Sequence, residues 1–228
     1  MGNERLVETM RRLSASLTPS ALDETLSRIT AAAVELLPDV QYASITILHE
    51  NNRLETVAPT DDLLLGLDAA QYQLREGPCY QAAVDTVHVI STDLAADKRF
   101  LQYGAIAVAA GIHAQAGLRL FDAPKSNGAL NLYSRQTGSF EDFETLAALF
   151  AHQSAMAIEY AREIQNLEEA LRTRTTIGQA VGIVMERYSL TDQRAFAFLT
   201  RLSQDGNIKL RQVAQTIVDE TEHQSTSR

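Results

Sequence analysis

The sequence predicts an α+β chain: an antiparallel sheet flanked by helices, a long connecting helix and a C-terminal three-helix bundle. Helix-like and strand-like segments interleave irregularly before residue 140, and the strands are joined by short connections. That pattern favours an antiparallel sheet with packed helices over a doubly wound parallel one. A helical pattern then runs from Glu141 to Ile177 with no Pro or Gly. Beyond it the charge changes sign. The 228 residues carry 20 Lys and Arg against 29 Asp and Glu, a net −9. Within 171–218, however, Arg172, Arg174, Arg187, Arg194, Arg201, Lys209 and Arg211 outweigh Glu186, Asp192 and Asp205. An acidic body followed by a mildly basic segment implies two units with different partners.

The first helix is expected from about Glu4 to Ser16, with Leu6, Val7, Met10 and Leu13 on one face. Thr18-Pro19 places a capping hydroxyl before a first-turn proline, and a second helix follows to Leu37, ended by Pro38. Its Leu22, Leu26, Ile29, Ala33 and Leu36 keep the helical period. Tyr42–Leu48, the turn Asn51-Asn52 and Arg53–Ala58 read as a hairpin. Asp61–Leu74 is partly helical, and Glu76-Gly77-Pro78 launches a short helix through Cys79, Ala82 and Ala83. A short strand at Val87–Ile90 and a helix at Phe100–Ala110, stopped by Gly111, come next. Two longer strands, His113–Phe121 and Gly128–Ser134, flank a loop at Asp122–Asn127. Leu130 and Leu132 share one face of the second, Asn131 and Tyr133 the other. Thr137–Ser139 is expected to cap the long helix, with Glu141, Asp142 and Glu144 favouring its N-terminal dipole.

Along that helix a 3,4 spacing selects Leu146, Phe150, Gln153, Ala157, Tyr160, Ile164, Leu167 and Leu171. Such a seam, flanked by Glu and Arg, predicts a two-helix coiled coil between subunits, with Ala157, Tyr160, Ile164, Leu167 and Leu171 as the dimer helix. Three further helices are expected at Ala170–Tyr188, Thr191–Ser203 and Lys209–Thr221. Gly178 and Gly182, inside the first of these, each cost about 1 kcal/mol relative to Ala, which points either to close approach of a helix or a ligand backbone or equally to a plain packing reason.

Several classes are excluded or left without support. The apolar fraction of 45% is that of a globular chain, and no apolar run approaches the length that spans a bilayer. The charged N-terminus carries no secretory signal, so a cytoplasmic location is expected. One cysteine makes no internal disulfide and no multi-cysteine metal site. His49, His88, His113, His152 and His223 lack metal-ligand spacing, and no nucleophile elbow, P-loop or dinucleotide fingerprint is present. No catalytic residue, metal or cofactor is therefore assigned, and the chain is expected not to be an enzyme. Cys79 sits at a helix start, where a thiol pKa can fall, but a small buried core residue is the favoured reading.

The run Leu171-x-x-Arg174-x-x-Ile177-x-Gln179-Ala180-x-Gly182-Ile183-x-Met185, then Ala195-Phe196-x-x-Leu199 and Asn207-x-Lys209-Leu210-x-x-Val213-Ala214, resembles the ANTAR module. It departs at Val181, where many members carry a lysine. Glu76-Gly77-Pro78-Cys79-x-x-Ala82, Asp93-Leu94-x-x-Asp97-x-Arg99-Phe100, Gly111 and Gly128–Ser134 resemble a GAF sensory domain. The resemblance implies a GAF domain over 1–160 with a six-stranded antiparallel sheet, and an ANTAR domain over 161–222. It further implies a signal-responsive homodimer that binds RNA stem-loops in transcription antitermination.

By that resemblance the RNA contacts fall to Arg172, Arg174, Gln179, Arg201, Asn207, Lys209 and Arg211, while Phe196 and Phe198 are expected to be mostly buried. A pocket for an unidentified small-molecule effector would be lined by Tyr72, Cys79, Tyr80, Phe100, Tyr103 and His113. Two alternatives stay open: a DNA-binding transcription factor, and a ligand or redox sensor whose C-terminal bundle docks a protein.

Overall fold

The computed structural model describes residues 3–18, 20–85, 88–123, 126–141 and 143–226, with the side chains of all but 3–6, 122, 123, 126 and 224–226. They form two compact units, residues 1–162 and 163–228.

The first unit is built on an antiparallel sheet. Its strands are β1 (Tyr42–His49), β2 (Leu54–Val57), β3 (Val89–Ser91), β4 (Ala114–Ala123) and β5 (Ser126–Ser134), in the order β2-β1-β5-β4-β3. The described residues supply five strands where the resemblance implied six. The hairpin of β4 and β5 is tighter than the sequence suggests, because pairing continues to Ala123 opposite Ser126. A register shift between Arg119 and Phe121 accommodates the extra length. Three expectations, Pro19 as a first-turn residue, Val87 as the start of β3 and Asp142 in the carboxylate cluster, lie outside the described residues.

The strands alternate strictly between two chemistries. Ala43 and Ile45 of β1, Ala116 and Leu118 of β4, and Leu130 and Leu132 of β5 are buried on one face. Helices α1 (Asn3–Ser16), α2 (Leu22–Leu36) and α6 (Glu144–Tyr188) bring Leu13, Leu26, Ile29, Leu146 and Phe150 to the same core. The opposite face presents Ser44, Thr46, Gln115, Asn131 and Tyr133, also buried. It is covered by α3 (Leu63–Leu74), α4 (Pro78–Val84) and α5 (Leu101–Ala109). The loop motif before α5 is a turn device. Asp93 Oδ1 accepts from the Ala95 and Ala96 amides, and the Arg99 guanidinium spans Asp97 and the Ile90 carbonyl, 2.7 Å from each.

Helix α6 starts at Glu144, three residues later than the carboxylate cluster suggests. Phe140 has φ 73°, which no helix accommodates, and its ring packs 5.2 Å from Phe143. Ser139, expected to cap, instead binds Ser134 Oγ and the Gln136 carbonyl. At its other end α6 does not stop before the bundle. The predicted connecting helix and the first bundle helix are one element of 45 residues.

The predicted seam is divided along that element. Leu146 and Phe150 are core residues of the first unit, but the stripe that stays buried is Ala147, Ala151, Ser154, Ile158 and Ala161. Tyr160, Leu167 and Leu171 are 56%, 56% and 64% exposed, and Gln153 is exposed. Ala157 and Ile164 are half-buried.

In the second unit, α6 packs against α7 (Asp192–Gly206) and α8 (Leu210–Thr226) through Ala180, Val184, Ala195, Leu199, Ala214 and Val218. Asn207 turns the chain between α7 and α8 in the left-handed region, φ 49°, a conformation asparagine tolerates better than most residues.

Gly117 of β4 sets the closeness of α4 to the sheet. A Cβ there would lie 2.5 Å from the Pro78 carbonyl oxygen and 2.8 Å from Ala82 Cβ. Gly117→Ala is expected to destabilise the protein by about 1–3 kcal/mol, the usual cost of overpacking, read as a lower urea midpoint at unchanged slope. A change under about 0.5 kcal/mol would show that α4 is free to move away.

Candidate functional site

Two places carry functional chemistry, and each lies within one unit. The first is the polar face of the sheet, where Asp68 of α3 is 0% exposed. Asp68 Oδ2 accepts hydrogen bonds from Ser44 Oγ at 2.9 Å and Thr56 Oγ1 at 3.0 Å. Its Oδ1 accepts from the Tyr133 hydroxyl and, at 3.4 Å, from Gln71 Nε2. Tyr72 OH lies 2.8 Å from both Thr46 and Thr56 hydroxyls. Asn131 Nδ2 donates to Ser44 at 2.9 Å and Thr46 at 2.8 Å, while its buried Oδ1 has no donor.

The network extends across α4. Gln71 Oε1 accepts the Cys79 amide at 3.0 Å, Gln115 Nε2 donates to Cys79 Sγ, and the Tyr103 hydroxyl donates to Gln115 Oε1 at 2.6 Å. No cationic side chain among the described residues pairs with Asp68. Burial therefore dominates and raises its pKa to about 6, against the lowering effect of the Tyr133, Ser44 and Thr56 hydroxyls. Burial, and then the Asp68 carboxyl, push the Cys79 thiol well up, so it is a thiol rather than a thiolate at neutral pH.

Of the predicted pocket residues, Tyr72, Cys79 and Tyr103 meet in this cluster. Phe100 is buried among the apolar neighbours of α5, with the Arg99 guanidinium 4.9 Å from its ring. Tyr80 and His113 are half-buried and give the cluster no hydrogen bond among the described residues. The sequence reading missed Asp68, the hub. Its signal was present: in LLLGLDAAQYQL it is the only charged residue. Asn131, Tyr133, Ser44 and Thr46 are marked by the two-residue alternation of their strands.

The second place is the surface of the helical unit. Arg172, Arg174, Gln179, Arg201, Asn207, Lys209 and Arg211 are all exposed. An open groove of about 540 Å³ is lined by Asn166, Glu169, Ala170, Thr173, Arg174, Ile177 and Phe196. Glu169 is paired with Arg211 of α8, which brings the start of that helix to the groove. Gln179 lines a different groove with Gly182, Arg187 and Val218. Arg201 is 4.0 Å from Asp205, a surface pair worth little. Asn207 and Lys209 flank the α7–α8 turn, where Lys209 also supplies the carbonyl that opens α8.

One expectation needs correction here. Phe196 and Phe198 are 46% and 37% exposed rather than mostly buried, because the small bundle core is filled by Ala195, just before the first ring, and Leu199, just after the second. A Cβ on Gly178 or Gly182 would meet nothing within 4 Å, so no group of this chain approaches them closely.

Comparison with family models matches residues 19–159 to the GAF domain and residues 165–218 to the ANTAR domain. The chain is a GAF–ANTAR protein. Comparison with curated proteins returns no match. Among solved structures, the GAF domain of an Acinetobacter phosphoenolpyruvate-protein phosphotransferase is 18% identical, with TM-score 0.52 over 73% of this chain and 99% of that one. CepR2 of Burkholderia cenocepacia, an N-acylhomoserine lactone-dependent LuxR-family transcription factor, is 13% identical, with TM-score 0.57 over 71% and 99%. A free methionine-R-sulfoxide reductase of Neisseria meningitidis is 12% identical, with TM-score 0.51 over 72% and 95%. At these identities the likeness is one of fold.

The GAF–ANTAR pairing makes the protein a signal-sensing regulator of the ANTAR type, built from sensory and regulatory rather than catalytic domains. Among the described residues no helix is long and apolar enough to cross a membrane, and no cluster of His, Cys, Asp and Glu could hold a metal.

The Asp68 shift has a definite sign. A carboxyl whose folded pKa exceeds its unfolded value binds its proton more tightly when folded, so its contribution to stability is full below about pH 4 and lost as pH rises through about 6. Asp97, drawn down to about 2 chiefly by Arg99, acts oppositely and only at lower pH. Thermal melting between pH 4.5 and 7.5 is expected to show the Asp68 loss, on the order of 2–3 kcal/mol. Asp68→Asn is expected to flatten the profile; an unchanged slope would place the titrating group elsewhere.

Proposed function

We propose that this protein is a signal-responsive RNA-binding regulator acting in transcription antitermination, in which the GAF domain senses an input and an ANTAR dimer binds RNA stem-loops. The observation that carries the reading is the charge reversal at the ANTAR boundary, with the excess Arg and Lys all on the surface. RNA wants such cations for its phosphates. Arg172, Arg174 and Lys209 have no carboxylate within ion-pair distance among the described residues and are the phosphate contacts on this reading. Arg211, held by Glu169, acts through its place beside the groove.

Dimerisation follows from the exposed seam. Tyr160, Leu167 and Leu171 leave a line of exposed apolar side chains along α6, and Ala157 and Ile164 border it. A second copy of the helix would bury it as a coiled coil. The input reaches α6 through the sheet: Tyr133 and Asn131 touch the polar cluster, while Leu130 and Leu132 on the same strand pack with Leu146 and Phe150. The Arg162 guanidinium lies 4.1 Å from the Phe121 ring of β4, a second link between sheet and helix. A cytoplasmic location accords with an RNA target made during transcription.

Binding of a tandem stem-loop RNA across a salt series tests the reading. Affinity is expected to fall steeply with salt, and Arg174→Ala or Lys209→Ala each to reduce the logarithmic slope by about 0.7–0.9, one phosphate contact. Duplex DNA bound more tightly than the RNA would transfer the protein to the DNA-binding class, and no nucleic-acid binding would leave protein docking. Leu167→Glu with Leu171→Glu is expected to convert a dimer to a monomer by sedimentation; a monomeric wild type would remove the coiled coil.

A further inference from the structure

The polar face of the sheet carries a closed hydrogen-bond circuit whose direction is fixed by its two ends. Asn131 Nδ2 donates to Ser44 Oγ at 2.9 Å and to Thr46 Oγ1 at 2.8 Å. Ser44 donates in turn to Asp68 Oδ2 at 2.9 Å, and Thr56 donates to the same oxygen at 3.0 Å. With the Thr56 hydrogen so engaged, Tyr72 donates to Thr56 and Thr46 to Tyr72, each at 2.8 Å. Both arms therefore run from the Asn131 amide to Asp68, where an ionised carboxylate closes the ring as a double acceptor. Its other oxygen accepts from the Tyr133 hydroxyl and Gln71 Nε2. The titratable groups facing Asp68 are Tyr72 of its own helix, Cys79 of α4, Tyr103 of α5 and Tyr133 of β5, and burial keeps all four neutral well above pH 7. Strands β1, β2 and β4 add Ser44, Thr46, Thr56 and Gln115, which do not titrate. An anion that is 0% exposed thus meets donors on every side and no cation among the described residues.

We infer that this cluster is a proton-binding site, in which Asp68 takes up a proton as the solvent acidifies and reverses its hydrogen bond with Tyr133. The inference rests on the signal-responsive reading and deepens it, by naming the proton as an input of the GAF domain. The groups of the ring bond one another directly, so a proton enters without parting them, whereas a molecule would have to force them open. Thr56 on the edge strand β2 and the Tyr72 ring are half-buried, and the arm they form gives the proton a path inward. Once an O–H bond forms on Oδ1, Asp68 is neutral and a donor, and the Tyr133 oxygen becomes its acceptor. The Tyr133 hydrogen then turns away, with Ser44 Oγ at 3.3 Å and Cys79 Sγ at 3.5 Å within reach. The circuit through Oδ2 stays intact. A hydrogen bond to a charged group is roughly twice as strong as a neutral one, so proton uptake loosens the tether of Tyr133. On the same strand the adjacent Leu132 lies in the core that holds Leu146 and Phe150 of α6. Uncompensated burial sets the working range, since it lifts the carboxyl to about 6.

The experiment titrates the full-length protein between about pH 5 and 7.5, by infrared difference spectroscopy and near-ultraviolet circular dichroism. A neutral-carboxyl C=O band with a midpoint near 6 is expected in the wild type and missing from Asp68→Asn. The chain has seven Tyr and no Trp, so the dichroism is carried mainly by tyrosine and should change with the same midpoint. Tyr133→Phe removes the hydrogen bond that most favours the anion, and should move the infrared midpoint to higher pH while abolishing the dichroism change. Affinity for the tandem stem-loop RNA is then measured at both ends of the range. The pH dependence of wild type and Asp68→Asn should differ by up to about tenfold, the effect of one unit of pKa difference between free and bound forms. Histidine titration and overall charge act alike on both proteins. No neutral-carboxyl band in the wild type, a band that persists in Asp68→Asn, or a midpoint unmoved in Tyr133→Phe overturns the site. Should Asp68→Asn fail to fold, the Tyr133→Phe midpoint decides. A titrating band without a dichroism change overturns the Tyr133 reversal. RNA binding with the same pH dependence in both proteins overturns the proton as an input and leaves the RNA reading standing. No RNA binding, with the band and the dichroism change present, overturns the RNA reading and supports the proton site.

Discussion

Everything in the first unit depends on one constraint: the central strands bury both faces, and the two faces differ in chemistry. Alternation forces neighbouring residues apart, so Leu130, Asn131, Leu132 and Tyr133 of β5 serve two cores in turn. The apolar core holds α1, α2 and the start of α6 by area alone. The polar core is held by hydrogen bonds that converge on a carboxyl with no counter-charge, where each unmade bond is costly. Each central strand therefore ties the polar cluster and the apolar core that receives α6 into one sheet.

The two units also differ in where their polar groups lie. The polar cluster gathers a perturbed carboxyl, an acceptor on Asn131 with no donor, and a buried thiol against Tyr133 and Gln115. The helical unit is the reverse. Its core is a few Ala, Val and Leu side chains, and its interesting groups lie outside, on α6 between Asn166 and Ile177 and on the rings of α7. Helix α6 belongs to both units, and its identity changes along its length from core helix to exposed seam to bundle helix.

Much of this was legible in the chain. Helical periodicity located α1, α2, α7 and α8 to within a few residues, and alternation located β1, β4 and β5. The clustered Arg and Lys separated the two chemistries before any geometry was known. The motif residues for a pocket were only half informative, since Tyr72, Cys79 and Tyr103 converge while Tyr80 and His113 do not join them. Asp68 went unread although it is the only charged residue of LLLGLDAAQYQL, because only the packing of α3 on the strands decides whether that acid is buried. Asp97 and Arg99, by contrast, form a local loop device that their spacing alone could suggest.

The sequence by itself determined the elements and the two-unit division of charge, because these depend on local periodicity and composition, while its motif residues carried the resemblance to the family. Tertiary structure decided which side of each element was buried. It turned Tyr160, Leu167 and Leu171 outward while keeping Ala147 and Ile158 inward, a difference of about 150° around the helix that a 3.5-residue period does not specify. It left Phe196 exposed beside Arg174, 22 positions away in the chain, because a bundle this small fills its core with Ala195 and Leu199. And it enclosed Asp68 among hydroxyls from three strands, where distance along the chain gives no warning of the missing charge.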